Sequence, residues 1–148
     1  NQNSVKAINT SMTINRKSVL VQGSTASTMN LTTEKVEGDS YYGYSDGMHT
    51  IAIQYAAFKG RITIQGTLSL TPTDADYFAI QIQGGVSVAA GGHKTFPTTG
   101  TTGFTGTEAY NISGNFTYLR VKMDRSYIGD GTTYLTDYGS IAYIRMSA

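Results

Sequence analysis

The sequence predicts an all-β chain, an antiparallel β-sandwich of about eight strands with jelly-roll-like topology. Three observations predict it. Apolar residues recur with a period of two in segment after segment. The good helix formers Leu, Ala, Glu and Lys are sparse, whereas Thr, Ser, Gly and Tyr are abundant, so β-branched and aromatic residues carry the chain. Clusters of Gly, Asp, Ser and Pro punctuate the apolar runs as turns. No stretch keeps a helical period with caps; DADYFAIQ is too short and too aromatic for one.

In chain order, residues 1–16 are polar and are expected to form an extended arm. SVLVQ reads as a short strand, GSTAST as a loop, and MNLTTEKVEG as the site of another strand. YYGYSDGMH (41–49) reads as a strand entering a turn. Tyr42 and Tyr44 then share a face, Tyr41 takes the other, and Asp46 and Gly47 make the turn, with Gly47 free to take positive φ. In HTIAIQY, Ile51, Ile53 and Tyr55 form an inward row. In RITIQGTLSL, the inward row is Ile62, Ile64, Gly66, Leu68 and Leu70. AAFKG between them suggests a hairpin with a short loop.

TPTDAD is a turn, with Asp74 and Asp76 bonding its backbone. DYFAIQIQG follows as a strand with Phe78, Ile80 and Ile82 in one phase. Residues 84–108 are filled with Gly and Thr and read as a long loop, or a weak edge and a loop. NFTYLRVKMD and GSIAYIRMSA return to strand. Each slips phase once, at Tyr118–Leu119 and Tyr143–Ile144, which predicts a bulge or a strand covered on both faces. The expected core is Ile51, Ile53, Ile62, Ile64, Leu68, Phe78, Ile80, Leu119 and Val121.

The 148 residues fit one domain, 1–148, able to bury roughly 70% of its extended surface. Without cysteine there are no disulfides and no thiolate metal sites. A net charge of +1 gives no field that favours nucleic acid, and no run of apolar residues is long enough for a membrane-spanning helix. Only 14% of residues are charged, which suits surfaces that end up against other subunits.

No catalytic set and no cofactor site emerge. Ser45, Asp46 and His49 offer the residue types of a triad, but closeness in sequence is not the spatial geometry a triad needs. Asp124, Asp130 and Asp137 bracket an oxygen-rich loop and are candidates for calcium, with ordinary Asp-Gly turns as the default. Tyr41, Tyr42 and Tyr44, together with His93, Phe96 and Phe104 of the Gly/Thr stretch, are candidate interface residues. Residues 91–107 have too few apolar anchors to fold alone and are expected to be ordered by a partner. The tyrosines could instead stack on a host-surface glycan.

FKGRITIQGTLSLTPTDADYFAI, TGTEAYNISGNFTYLRVKMDRSYI and GSIAYIRM together resemble small virion structural proteins of tailed bacteriophages, of marine and cyanobacterial myophage type. The matching elements are Gly60–Leu68, Pro72–Phe78, Gly114–Arg120 and Gly139–Ile144, and the likeness covers residues 40–147. A similar strand logic occurs in discoidin and galactose-binding-like sandwiches. The resemblance implies a non-enzymatic particle component, located on the virion, whose partners are other virion proteins and copies of itself. The alternative is a carbohydrate-binding module or adhesin domain.

Overall fold

A computed structural model describes residues 18–24, 28–43, 47–98 and 100–147. The N-terminal arm expected at 1–16 lies outside them. Ten strands form two antiparallel sheets: β1 (Ser18–Gln22), β2 (Asn30–Thr32), β3 (Val36–Glu37), β4 (Met48–Phe58), β5 (Gly60–Thr67), β6 (Phe78–Ile80), β7 (Lys94–Phe96), β8 (Phe104–Ser113), β9 (Tyr118–Asp124) and β10 (Ser140–Ser147). The four-stranded sheet runs β1-β10-β4-β8. The six-stranded sheet runs β2-β9-β5-β6, with β3 also on β9 and β7 also on β5. The strand count exceeds the expected eight because each flank of the second sheet is built from two short pieces. The only helical pieces among the described residues are short 3-10 turns, and none is long and apolar enough to cross a membrane.

The inward rows meet between the sheets. Ile51, Ile53, Tyr55 and Phe58 of β4, Tyr110 and Ile112 of β8, and Ile141, Ile144 and Met146 of β10 face Ile62 and Ile64 of β5 and Leu119, Val121 and Met123 of β9. All are buried, and each aliphatic chain removed from water contributes about 1.5–3 kcal/mol before its ordering cost. The phase slip at Tyr143–Ile144 is a bulge: the β10–β4 register shifts between Ile141 and Tyr143. At Tyr118–Leu119 the strand is covered on both faces. Leu119 points into the core, while Tyr118 lies outward under Tyr41, with ring centroids 5.4 Å apart.

Two expectations are overturned and a third is narrowed. AAFKG does not close a hairpin, because β4 and β5 lie in different sheets, separated by Lys59 alone. The chain turns this corner through Ala57 at φ 51°, the only described non-glycine residue with positive φ. The β4–β8 register shifts there, between Tyr55 and Phe58, and the Ala57 N–H donates to Thr105 Oγ1 (2.9 Å). Gly139, at φ 68° and ψ −163°, passes so close to the Ala57 carbonyl that a Cβ would collide with it. Arg125 seals this end of the core. It is fully buried, donates to the Tyr138 and Gly139 carbonyls (3.1 and 2.9 Å), and lies over the Phe58 ring. Burial lowers its pKa, but from so high a starting value that it stays charged.

Second, Leu68, Leu70 and Phe78 are not core; they are 66%, 65% and 44% exposed. β5 ends at Thr67, so the next two members of its row have no sheet to face. Thr117 Oγ1 holds the departing chain by donating to the carbonyls of Thr67 and Ser69 (3.0 and 2.6 Å). Phe78 opens β6 opposite Gly66 and reaches only the rim of Phe116. Third, of the two readings of 84–108, the weak edge followed by a loop is the nearer, and the segment holds more structure than either. It contains the 3-10 turn Val88–Ala90, the strand β7 paired to β5, and the first half of β8.

Candidate functional site

Residues 41–43 do not form the expected strand, although the next strand does begin here, with β4 starting at Met48. Asp39–Tyr42 is a 3-10 turn capped by Gly43 at φ 81°. Buried Asp39 closes the segment by accepting the Gly47 N–H through Oδ2 (2.7 Å). Gly47 does take positive φ, 57°. Tyr41 is exposed but packs against Tyr118, whose ring also carries Lys35 Nζ at 5.3 Å. The side chain of Tyr42, and all of Tyr44, Ser45 and Asp46, lie outside the described residues. His49 belongs to the inward row of β4, buried beside Phe116, with Nε2 3.3 Å from the Gly114 carbonyl.

Two more interface candidates are placed elsewhere. Phe96 is 2% exposed and Phe104 is partly buried against the core. Both join Tyr55 and Phe58 in an aromatic cluster, with Tyr55–Phe96 centroids 4.5 Å apart and Phe96–Phe104 5.4 Å apart. His93 is half-buried; burial and then the nearby Arg61 lower its pKa, against the pull of Asp124.

The calcium candidates do not converge. Asp124 accepts from Ser126, and Asp137 pairs with Lys59 at 3.4 Å. Asp130 accepts from the N–H groups of Thr132 and Thr133 and from Thr133 Oγ1, and these bonds hold its pKa at about 2. Among the described residues no three His, Asp or Glu side chains gather as a metal site would need. In the 72–77 turn, Asp76 does bond the backbone, accepting from Thr73 N (2.7 Å), but Asp74 reaches across to Arg120 (3.0 Å).

What the fold presents outward differs sharply between the sheets. On the four-stranded sheet, the register places Thr50, Ala52 and Gln54 of β4 beside Asn111, Ala109 and Thr107 of β8. On the other side of β4 stand Ser147, Arg145 and Tyr143 of β10. These side chains are short and neutral apart from Arg145 and Tyr143. Thr50 Oγ1 donates to Asn111 Oδ1 (2.8 Å), and Gln54 Nε2 reaches Thr107 Oγ1 (3.4 Å). β8 ends the sheet.

On the six-stranded sheet the outward side chains are charged and aromatic. Arg61 stacks on Tyr127 (4.1 Å) and Arg120 on Tyr77 (3.8 Å). Arg120 also donates through Nε to Gln65 (2.8 Å) and forms the floor of a polar cleft of about 400 Å³ with Thr32, Glu34, Lys35, Asp74 and Tyr77.

A third feature spans the open side between the sheets. Lys94 Nζ of β7 meets Glu108 Oε1 of β8 at 2.8 Å, Tyr110 OH donates to the same oxygen (2.7 Å), and Tyr55 OH lies 2.9 Å from Tyr110 OH. Burial pushes both phenol pKa values far up, so neither ionises near neutral pH. The chain of bonds is a clasp that lets one carboxylate sit in an inward row.

Sequence reading missed Arg61, Arg120, Glu108 and Arg125. For the first two, the outward phase of RITIQ and YLRVK was a usable signal, but their ring partners are distant in sequence. No protein-family model matches this chain, and neither the curated proteins nor the solved structures include one with significant similarity to it.

Proposed function

We propose that this chain is a non-enzymatic structural component of a phage virion that works by protein–protein assembly. The observation that carries the reading is the outer face of the four-stranded sheet. A face of Thr, Ala, Gln, Asn and Ser can be covered by another subunit at small desolvation cost, because it holds almost no charge to strip of water. The resemblance of residues 40–147 to small virion proteins gives the assembly its setting, and copies of the chain and other virion proteins are the partners.

The test uses Thr50→Lys/Gln54→Lys, two changes on central β4 that leave the sheet edge untouched. Particles made with this variant should lack the chain, whereas particles with the wild type should carry it in many copies. Incorporation equal to wild type would end the proposal.

A carbohydrate-binding reading is favoured by one observation, the polar cleft where Tyr77 and Arg120 stack beside Glu34, Lys35 and Asp74. It requires saturable binding of a defined glycan that Tyr77→Ala weakens about tenfold.

A further inference from the structure

Strand β8 ends the four-stranded sheet with β4 as its only ladder partner, so one of its edges is open among the described residues. The polarity of that edge follows from one bond. Gly114 N–H donates to Gly47 O (3.0 Å), which places this facing pair at a hydrogen-bonded position of the antiparallel ladder. Such positions recur every second residue, so Ile112, Tyr110 and Glu108 bond β4. The backbone N–H and C=O of Thr107, Ala109 and Asn111 therefore point away from the sheet, and these same residues carry the short neutral side chains of the outer face.

Exposed edges are normally blunted by Lys, Pro, a bulge or an inward charge. β8 has no Lys or Pro. Its inward charge, Glu108, does not guard it, because Lys94 and Tyr110 already satisfy that carboxylate. Beside Glu108 and Tyr110 an open cleft of about 420 Å³, lined also by Gln83 and Gly84, leaves room along the inner side of the edge.

We infer that β8 pairs antiparallel with β8 of a second copy about a two-fold axis, joining the two four-stranded sheets into one. This deepens the assembly reading and rests on it for its partner. Self-pairing restricts the register. Outward residues must face outward residues, which removes every slip by one. Pairing Thr107 with Ala109 of the copy would set the two Glu108 side chains opposite each other, a like-charge contact. Centring the axis on Ala109 avoids this and still overlaps residues 105–113 of both strands. Thr107 then faces Asn111 of the copy, Glu108 faces Tyr110, and Thr107, Ala109 and Asn111 exchange their free backbone bonds across the axis. The interface is isologous, as a closed dimer requires.

The test is the mass of the full chain in solution, with three variants. Wild type should show twice the chain mass. Ala109→Pro should weaken the dimer at least about tenfold while keeping a β-type circular dichroism spectrum, because the lost N–H points away from β4. Ala109→Lys repeats the test without constraining the backbone. Ala109→Cys places two thiols on the axis, where a bonded pair brings Cα atoms to about 5.5 Å, within disulfide reach, so mild oxidation should link two copies. A wild-type monomer up to about 1 mM, a dimer unchanged by Ala109→Pro, or an Ala109→Cys variant that does not cross-link would overturn the edge pairing. The assembly reading would be decided separately, by whether Thr50→Lys/Gln54→Lys leaves particles without the chain.

Discussion

The two outer faces of this sandwich are made by the same alternation and end up with opposite characters. β4 sends out Thr50, Ala52 and Gln54, whereas β5 sends out Arg61, Thr63 and Gln65. On the β5 side three of the cations are already used: Arg61 covers Tyr127, Arg120 covers Tyr77 and binds Gln65, and Lys35 lies over Tyr118, while Lys122 stays exposed. On the β4 side the groups make only short local bonds. A face whose charges are mostly engaged within the molecule or open to water is complete in water. A face of mostly small neutral side chains, with Arg145 as its one described cation, is equally soluble but gives up its water at little cost. The difference locates assembly on one side of the molecule and stability on the other, and it can be tested from both sides.

The largest effect should come from the core the faces share. Ile64→Ala empties a fully buried position between Ile80 and Val121, and should cost about 2–5 kcal/mol in denaturant unfolding. It should weaken both faces alike, so loss of assembly without loss of stability cannot come from there.

Next is Arg120→Ala, expected to cost about 1–2 kcal/mol. Because Asp74 is 95% exposed, most of that loss should come from the Gln65 bond and the Tyr77 stack. Unfolding in high salt should therefore leave most of the effect in place. Incorporation into particles should be unaffected; if Arg120→Ala blocks it and Thr50→Lys/Gln54→Lys does not, the roles of the faces are reversed.

A third effect is read from the acid limb of the stability profile. The folded pKa of Asp130 is below its ordinary value, so its contribution to stability is complete above about pH 4 and is lost as pH falls toward 2. Asp130→Asn should flatten the stability profile in that window and lower stability at neutral pH, where the wild-type carboxylate contributes in full. An Asp130 carboxyl that titrates near 4 by NMR would remove the basis for this.

The smallest stability change belongs to the neutral face. Thr50→Lys/Gln54→Lys should stay within about 0.5 kcal/mol of wild type per site, despite its effect on association.

Much of the sandwich was legible because alternation alone fixes which side chains go inward. Ile51, Ile53, Ile62, Ile64, Leu119 and Val121 all lie where their phase put them, and the slip at Tyr143 is a bulge. Alternation does not say which sheet a strand joins, so AAFKG could pass for a hairpin loop. The real corner depends on Ala57 at positive φ, which the residue type does not signal. Leu68 and Leu70 kept the right phase beyond the end of the ladder, where phase has no meaning. Phe96 and Phe104 looked like surface residues because Gly and Thr surround them in sequence, whereas Tyr55 and Phe58 surround them in space. The tyrosine segment misled because its start is a 3-10 turn whose Asp39 bonds Gly47, a residue eight further on.

The single-residue passage at Lys59 has a consequence for when the molecule can exist at all. β4 and β5 are made consecutively on the ribosome, yet Ile51 lies opposite Tyr110 and Ile64 opposite Val121. β10, made after every other described strand, is an inner strand of its sheet, between β1 and β4. Until it emerges β4 lacks one of its two sheet neighbours and β1 lacks its only one, so the four-stranded sheet is completed late, through pairings distant in sequence. Synthesis must pass β10 before the four-stranded sheet and its outer face exist, and a chain cut short before β10 leaves β1 and β4 as bare strands in place of a finished surface.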